Sequence, residues 1–221
     1  MRQTLVAAFP NSMKPDRMTV MNLADEIENL SVITYPHPAL RRRAKPLTKV
    51  DRTIRKLVDK MFQLMYEHRG VGLAANQVNL PFQLFVVNEE GSQDFGRQRV
   101  FINPVIESPK GRREVEEGCL SIPQVYANVV RPEEIRVMAF EIDGTEVDEV
   151  VSGSLARVIQ HEYDHLQGVL FTDRISETAQ LNLAGELESF EIEFESKRRS
   201  KAIPDDTEIE ARLVALEQLY C

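Results

Sequence analysis

Cysteine is scarce in this sequence: Cys119 and Cys221 are the only two among 221 residues. That count excludes a secreted disulfide framework and fits a reducing cytosol. Long apolar runs are missing too. None approaches the roughly 20 residues that cross a bilayer as a helix, so no membrane partner is expected. The opening MRQTLVAAFPNSMKPDRM has a single five-residue apolar patch, too short for the core of a secretory signal. Basic charge is in deficit. Lys and Arg number 27 against 35 Asp and Glu, for a net charge of −8, which disfavours a nucleic-acid partner because such binding neutralises phosphates with Lys and Arg. Repeats and low-complexity tracts are absent. Histidine is limited to His37, His68, His161 and His165, and the last two stand four residues apart.

What is present is ordinary for a globular chain, with 43% hydrophobic and 28% charged residues. The length suits one domain with appendages. An extension covers residues 1–24, a body 25–175 and a tail 176–221, and the tail holds −6 of the net charge. The extension has no acidic residue before Asp16. An organelle transit peptide, a disordered leader, or a start at Met13, Met18 or Met21 all fit it. The basic clusters Arg41-Arg42-Arg43 and Lys197-Arg198-Arg199 read as solvated patches.

SVITY at 31–35 reads as a short strand. Asp51 to His68 is predicted as an amphipathic helix, capped by Asp51, ended near Gly70, and with Ile54, Leu57, Val58, Met61, Leu64 and Met65 on one face. Strands follow at QLFVVNE, VFINPVIES and EIRVMAF, with Asp143-Gly144 turning into TEVDEVV. SGSLARVIQHEYDHLQG reads as a helix with Ser152 or Ser154 as cap and Gly168 as stop, and two helices complete the tail, where Cys221 has the place of a frayed end. The order indicates an α+β domain.

The chemistry gathers in QHEYDHLQGVLF, residues 160–171. In a helix, His161 and His165 share a face and reach one ion, with Glu162 beside it able to take a proton from water. Two imidazoles suit Zn²⁺ or Fe²⁺, but a catalytic site of this kind takes a third protein ligand. A longer protease signature would place histidine at 171, which is Phe. Glu177 or Glu186 downstream would make a zinc metallopeptidase. Cys119, in EGCLS, would supply a thiolate, though a lone cysteine is also common core material.

EGCLS at 117–121, QHEYDHLQG at 160–168 and GVGLAANQ at 70–77 together resemble the three signature motifs of the peptide deformylases, in that family's order, within residues 31–175. The resemblance implies an α+β fold: mixed or antiparallel short-stranded sheets around a central metal-binding helix, with an N-terminal helix and C-terminal helices. It implies a hydrolase that removes the formyl group from N-formyl-methionyl nascent peptides and releases formate. The catalytic domain is then residues 25–175. Cys119, His161 and His165 hold one divalent ion, which family behaviour favours as Fe²⁺, with Zn²⁺, Ni²⁺ or Co²⁺ in isolated protein. Glu162 is general base and acid, and the Gln77 amide and the Leu120 N–H stabilise the oxyanion. Gly72 pairs with an extended substrate. Val71, Glu117, Val158 and the His161 ring form the methionine pocket, Gly118 allows close backbone approach, and Arg131 either meets the downstream peptide or is a surface arginine. Read from the helix alone, Asp164 supports a metal ligand or packs the helix.

The acidic tail departs from the basic terminal helix that bacterial members use for transient ribosome contact. It is expected to pack on its own domain or on a second subunit. A non-catalytic binding relative is disfavoured, because Glu162 and Gln77 are dispensable for binding alone. The setting expected is cytoplasmic.

Overall fold

The computed structural model describes residues 23–221. The extension expected over 1–24 therefore lies outside the described residues except for its last two. Leu23 opens a single turn, α1 (Leu23–Glu26), and is buried in the main core.

Helix α2 (Arg52–Glu67) forms as its periodicity predicts. Asp51 Oδ1 accepts from the backbone N–H groups of Thr53 at 2.8 Å and Ile54 at 3.0 Å, and the six apolar residues of the predicted face are all buried. Its end differs from expectation. Arg69, at φ +57°, takes the left-handed position, while the Gly70 N–H returns to the Met65 carbonyl at 2.8 Å.

Five strands make one antiparallel sheet in the order β1-β2-β3-β6-β7: β1 (Gly72–Ala74), β2 (Leu84–Val87), β3 (Arg99–Lys110), β6 (Glu134–Phe140) and β7 (Glu146–Ser152). The sheet is packed between α2 and α3 (Gly153–Leu166). On β2, Leu84 and Val86 join the α2 cluster, whereas Phe85 and Val87 join the cluster of Ala156, Ile159 and Leu166 on α3. Burial on both faces explains why LFVV has no polar alternation. Gly144, at φ +90°, makes the β6–β7 turn as Asp143-Gly144 predicts. At the start of α3 neither serine caps. Ser152 holds the cap position without a side-chain bond, and Ser154 Oγ instead donates to Glu89 Oε1 at 2.5 Å.

Two segments depart from the sequence pattern. Residues 31–35 form no strand: the Ile33 N–H donates to Gln77 O and the Tyr35 N–H to Ser121 O, both at 2.8 Å. Those acceptors belong to two different segments, so no ladder can propagate. Residues 113–131, in contrast, form a hairpin that the pattern concealed, β4 (Arg113–Cys119) with β5 (Ile122–Arg131). Its first four residues are all exposed, so alternation gives no core face to recognise.

The tail is helical as predicted, α4 (Glu177–Arg199) and α5 (Asp206–Tyr220), capped by Ser176 and Asp205. It packs on its own domain. Leu216 and Tyr220 enter the main core, and Arg212 donates to Glu26 Oε2 and Asn79 O, each at 2.6 Å. The arginine cluster is only partly a solvated patch: Arg41 pairs with Asp173, and Arg42 clasps Glu210 and Glu217 of α5. The end of the chain is not frayed, since Cys221 is half-buried and packed against the main core. Among the described residues no helix is long and apolar enough to cross a membrane.

Candidate metal centre and cleft

His161 and His165 lie one turn apart on α3, with ring centroids 5.0 Å apart. Cys119 ends β4, where the hairpin turns tightly into β5. The three side chains are buried and offer ligand atoms all within 4.8 Å of one another. Metal–sulfur and metal–nitrogen bonds of about 2.3 and 2.0 Å put tetrahedral neighbours about 3.5 Å apart, and Cys119 Sγ stands 3.4 Å from His165 Nε2. The donor set fits a divalent ion of the zinc or iron kind. Glu177 and Glu186 are exposed on α4 and stand outside this group. Phe171 is core, 1% exposed, its ring 6.4 Å from that of His161.

The electrostatics also suit a cation. Burial lowers His161, but hydrogen bonds to Cys119 and Glu117 outweigh it and raise the ring to about 10. Burial raises Glu117, yet bonds from His161 and Arg131 bring it down to about 2, which keeps it charged. Glu117 Oε2 lies 3.0 Å from His161 Nδ1, leaving Nε2 of that ring to face the centre. His165 is lowered by burial first and by His161 second, so its imidazole is neutral.

Glu162 points into the same space. It is 3% exposed, and burial pushes its carboxyl up to about 7. Gln77 sits on a 3-10 turn (Ala75–Val78) after β1. The Ala74 N–H donates to its Oε1 at 2.8 Å, so its NH₂ must face Cys119 Sγ at 3.5 Å and Ser121 Oγ at 3.4 Å.

The centre opens on a cleft of ≈ 680 Å³. Of the residues predicted for the site, Val71, Gly72, Gln77, Glu117, Gly118, Cys119, Leu120, Val158, His161 and Glu162 line it. His165 closes the centre from behind at 1% exposure. Arg131 does not meet the cleft. It is 2% exposed, holds Glu117 by two bonds at 2.7 and 2.9 Å, and donates to Asp164 at 2.7 Å. Two buried carboxylates beside it explain its position, since unpaired they would be costly. Arg174 pairs with the same Asp164.

The sequence reading missed His68, Arg69, Tyr126 and Arg157, all of which line the cleft. Three had a signal. His68 and Arg69 directly precede GVGLAANQ, and Arg157 stands one helical turn before His161. Tyr126 lies opposite Gly118 in the hairpin, where a Cβ on that glycine would meet its ring at 2.6 Å. Only an unrecognised register hid it.

Residues 29–180 match the sequence family described as polypeptide deformylase. A peptide deformylase of Rhodopirellula baltica is 44% identical over 191 residues, which cover 86% of this chain and 95% of that protein. The protein of Oryza sativa subsp. japonica named peptide deformylase 1B, chloroplastic, is 44% identical over 172 residues, covering 77% of this chain and 64% of that protein. Among solved structures, a plant peptide deformylase superposes with a TM-score of 0.75 at 39% identity, covering 80% of this chain and 95% of that one.

Proposed function

This chain belongs to the polypeptide deformylase family, a metal-dependent hydrolase that takes the formyl group from N-terminal formyl-methionine, and we propose how its own residues divide that work. The carrying observation is the convergence of Cys119, His161 and His165 at a cleft that Glu162 and Gln77 also line.

Cys119, His161 and His165 are the ligands of a single ion. When bound, the ion supplies Lewis acidity, lowering the pKa of the attacking water and polarising the formyl oxygen. Glu162 accepts the proton from that water on its carboxylate and returns one to the departing amine nitrogen. A carboxyl shifted toward neutrality by burial suits both halves of the transfer. As the formyl carbon becomes tetrahedral, the Gln77 Nε2–H and the Leu120 backbone N–H donate to its oxygen. Amide donors do not titrate, and the Ala74 bond to Gln77 Oε1 supports the orientation needed. Val71, Val158 and the His161 ring shape the apolar pocket for methionine, Gly72 pairs with the extended peptide backbone, and Gly118 permits its close approach. Glu117 orients His161.

For the ion we infer Fe²⁺, which one thiolate and two imidazoles suit, with Zn²⁺, Ni²⁺ or Co²⁺ able to replace it. The catalytic unit is residues 25–175, with α4 and α5 as an acidic appendage. Transient ribosome contact uses another surface than a basic terminal helix, since α5 is acidic and packed home. A cytoplasmic setting is supported by two free cysteines; the chloroplast label of the rice relative supports an organellar address as its rival.

The test is formate release from formyl-Met-Ala by protein loaded with Fe²⁺ or Ni²⁺, with Glu162→Ala as control. Turnover that survives in the control, or none in the fully loaded wild type, defeats the assignment.

A further inference from the structure

The ligands come from two elements that share no backbone ladder. Cys119 rides on the β4–β5 hairpin, a separate two-stranded sheet, whereas both histidines ride on α3. Among the described residues, no backbone hydrogen bond joins that hairpin to α3. The direct ties between the hairpin and α3 are made by side chains, while a backbone bond from Gly153 N–H to Glu133 O at 3.1 Å lies just beyond the hairpin. Arg131 ties Glu117 to Asp164, and Gln160 Nε2 reaches Pro132 O at 3.0 Å, both at the far end of β5.

A further tie is Arg157, beside the contacts of Glu117 with His161 at 3.0 Å and of Cys119 with His165 at 3.4 Å. Arg157 stands four residues before His161 and so shares its helical face. Its Nη1 donates to Glu117 Oε1 at 2.6 Å and to Val129 O at 3.1 Å, and its Nη2 donates to Arg113 O at 2.6 Å. One guanidinium thus spans both strands of the hairpin and grips the carboxylate that orients His161 Nδ1. We propose that Arg157 is a positioning residue for the metal centre, holding the hairpin that carries Cys119 in register with the helix that carries His161 and His165. This rests on the ligand assignment above. Arg157 fulfils it by geometry rather than by charge balance, because Glu117 keeps both bonds from Arg131 without it. For the same reason its replacement leaves no buried carboxylate unpaired, and the fold should tolerate it.

Arg157→Met keeps an unbranched apolar stem and removes the three bonds. Ni²⁺-loaded wild type and variant are challenged with excess chelator, and the release of the ion is followed directly. Partners that orient ligands are worth about tenfold to a hundredfold in metal affinity, so the variant should release its ion faster by a factor in that range while melting within a few degrees of wild type. Arg157→Lys keeps the charge but cannot reach three acceptors at once, and should fall between the two. If Arg157→Met does not fold, Arg157→Lys decides alone: faster release supports the proposal and wild-type release overturns it. A lowered melting temperature with unchanged release is the signature of a purely structural side chain and also overturns it. Because the ion itself is measured, the result is independent of whether formate appears from formyl-Met-Ala.

Discussion

Gly72 lies so close to Glu162 that a Cβ built on it would stand 2.5 Å from Oε1 and 2.8 Å from the carboxyl carbon. The second glycine of GVGLAANQ therefore serves the carboxylate on α3 as well as any substrate backbone. Gly72→Ala must push Glu162 aside, and a displacement near 1 Å at a proton-transfer group costs about 10²-fold in rate. The expected outcome is a fall in kcat of about that size with metal content unchanged. Metal analysis beside steady-state kinetics checks it, and wild-type kcat would remove Glu162 from its assigned role.

Gln77 gives a second test of the same division of work. Gln77→Leu preserves volume and removes the donor aimed past Cys119 Sγ. Loss of one oxyanion donor costs on the order of 10²–10³ in kcat. The Michaelis constant for formyl-Met-Ala should move far less than kcat, because the bond strengthens as charge develops on the oxygen. A variant that raises only KM would make Gln77 a ground-state contact instead.

The longer helices, the strands β2, β3, β6 and β7 and the histidine pair were legible because each leaves a local trace: an apolar stripe, an apolar run, a fixed spacing. Strand β1 is only three residues long, and Cys119 rather than Glu177 or Glu186 was indicated by the family resemblance. Arg131 was misread for the opposite reason. Nothing near it in sequence shows that Glu117 and Asp164, 14 and 33 residues away, need one cation between them. The hairpin was invisible because Arg113 to Glu116 are exposed, leaving periodicity without an inward face. SVITY has strand composition but meets single carbonyls from two unrelated segments, and composition cannot report that. Long-range polar contacts, and a hairpin without an inward-facing stripe, are what local pattern does not carry.

Metal removal should register in stability as well as in activity. An ion held by residues from the hairpin and α3 binds the folded state alone, so saturating it raises the unfolding free energy by RT ln(1 + [L]/Kd), about 4 kcal/mol at a thousandfold excess over Kd. Chelator-treated protein should melt lower and recover on adding Fe²⁺, Zn²⁺ or Ni²⁺. Cys119→Ser should melt at nearly the same temperature with and without added metal. A variant that still shows the full metal-dependent rise would mean that a different residue supplies the third ligand.

Away from the cleft, His37 links folding to pH. It is 5% exposed, accepts from the Ala39 N–H through Nδ1 at 3.2 Å, and packs edge-on to Phe194 of α4 at 6.0 Å between centroids. Burial, then Arg198 and Arg212, lower it to about 4 against the pull of Asp206. The folded state thus prefers the neutral ring, and between pH 4 and 6.5 the unfolded chain binds the extra proton. Its contribution is fully present above about pH 6.5 and is lost as pH falls toward 4, at most about 3 kcal/mol. His165, also lowered by burial, has the same sign, so the measurement must compare two proteins. His37→Asn keeps an acceptor for the Ala39 N–H and removes the titration. Denaturant unfolding of metal-loaded wild type and His37→Asn at pH 7 and pH 5 should show the wild type losing more stability on acidification. Equal losses would mean that His37 is protonated in the folded protein and that the clasp of α4 and α5 is insensitive to it.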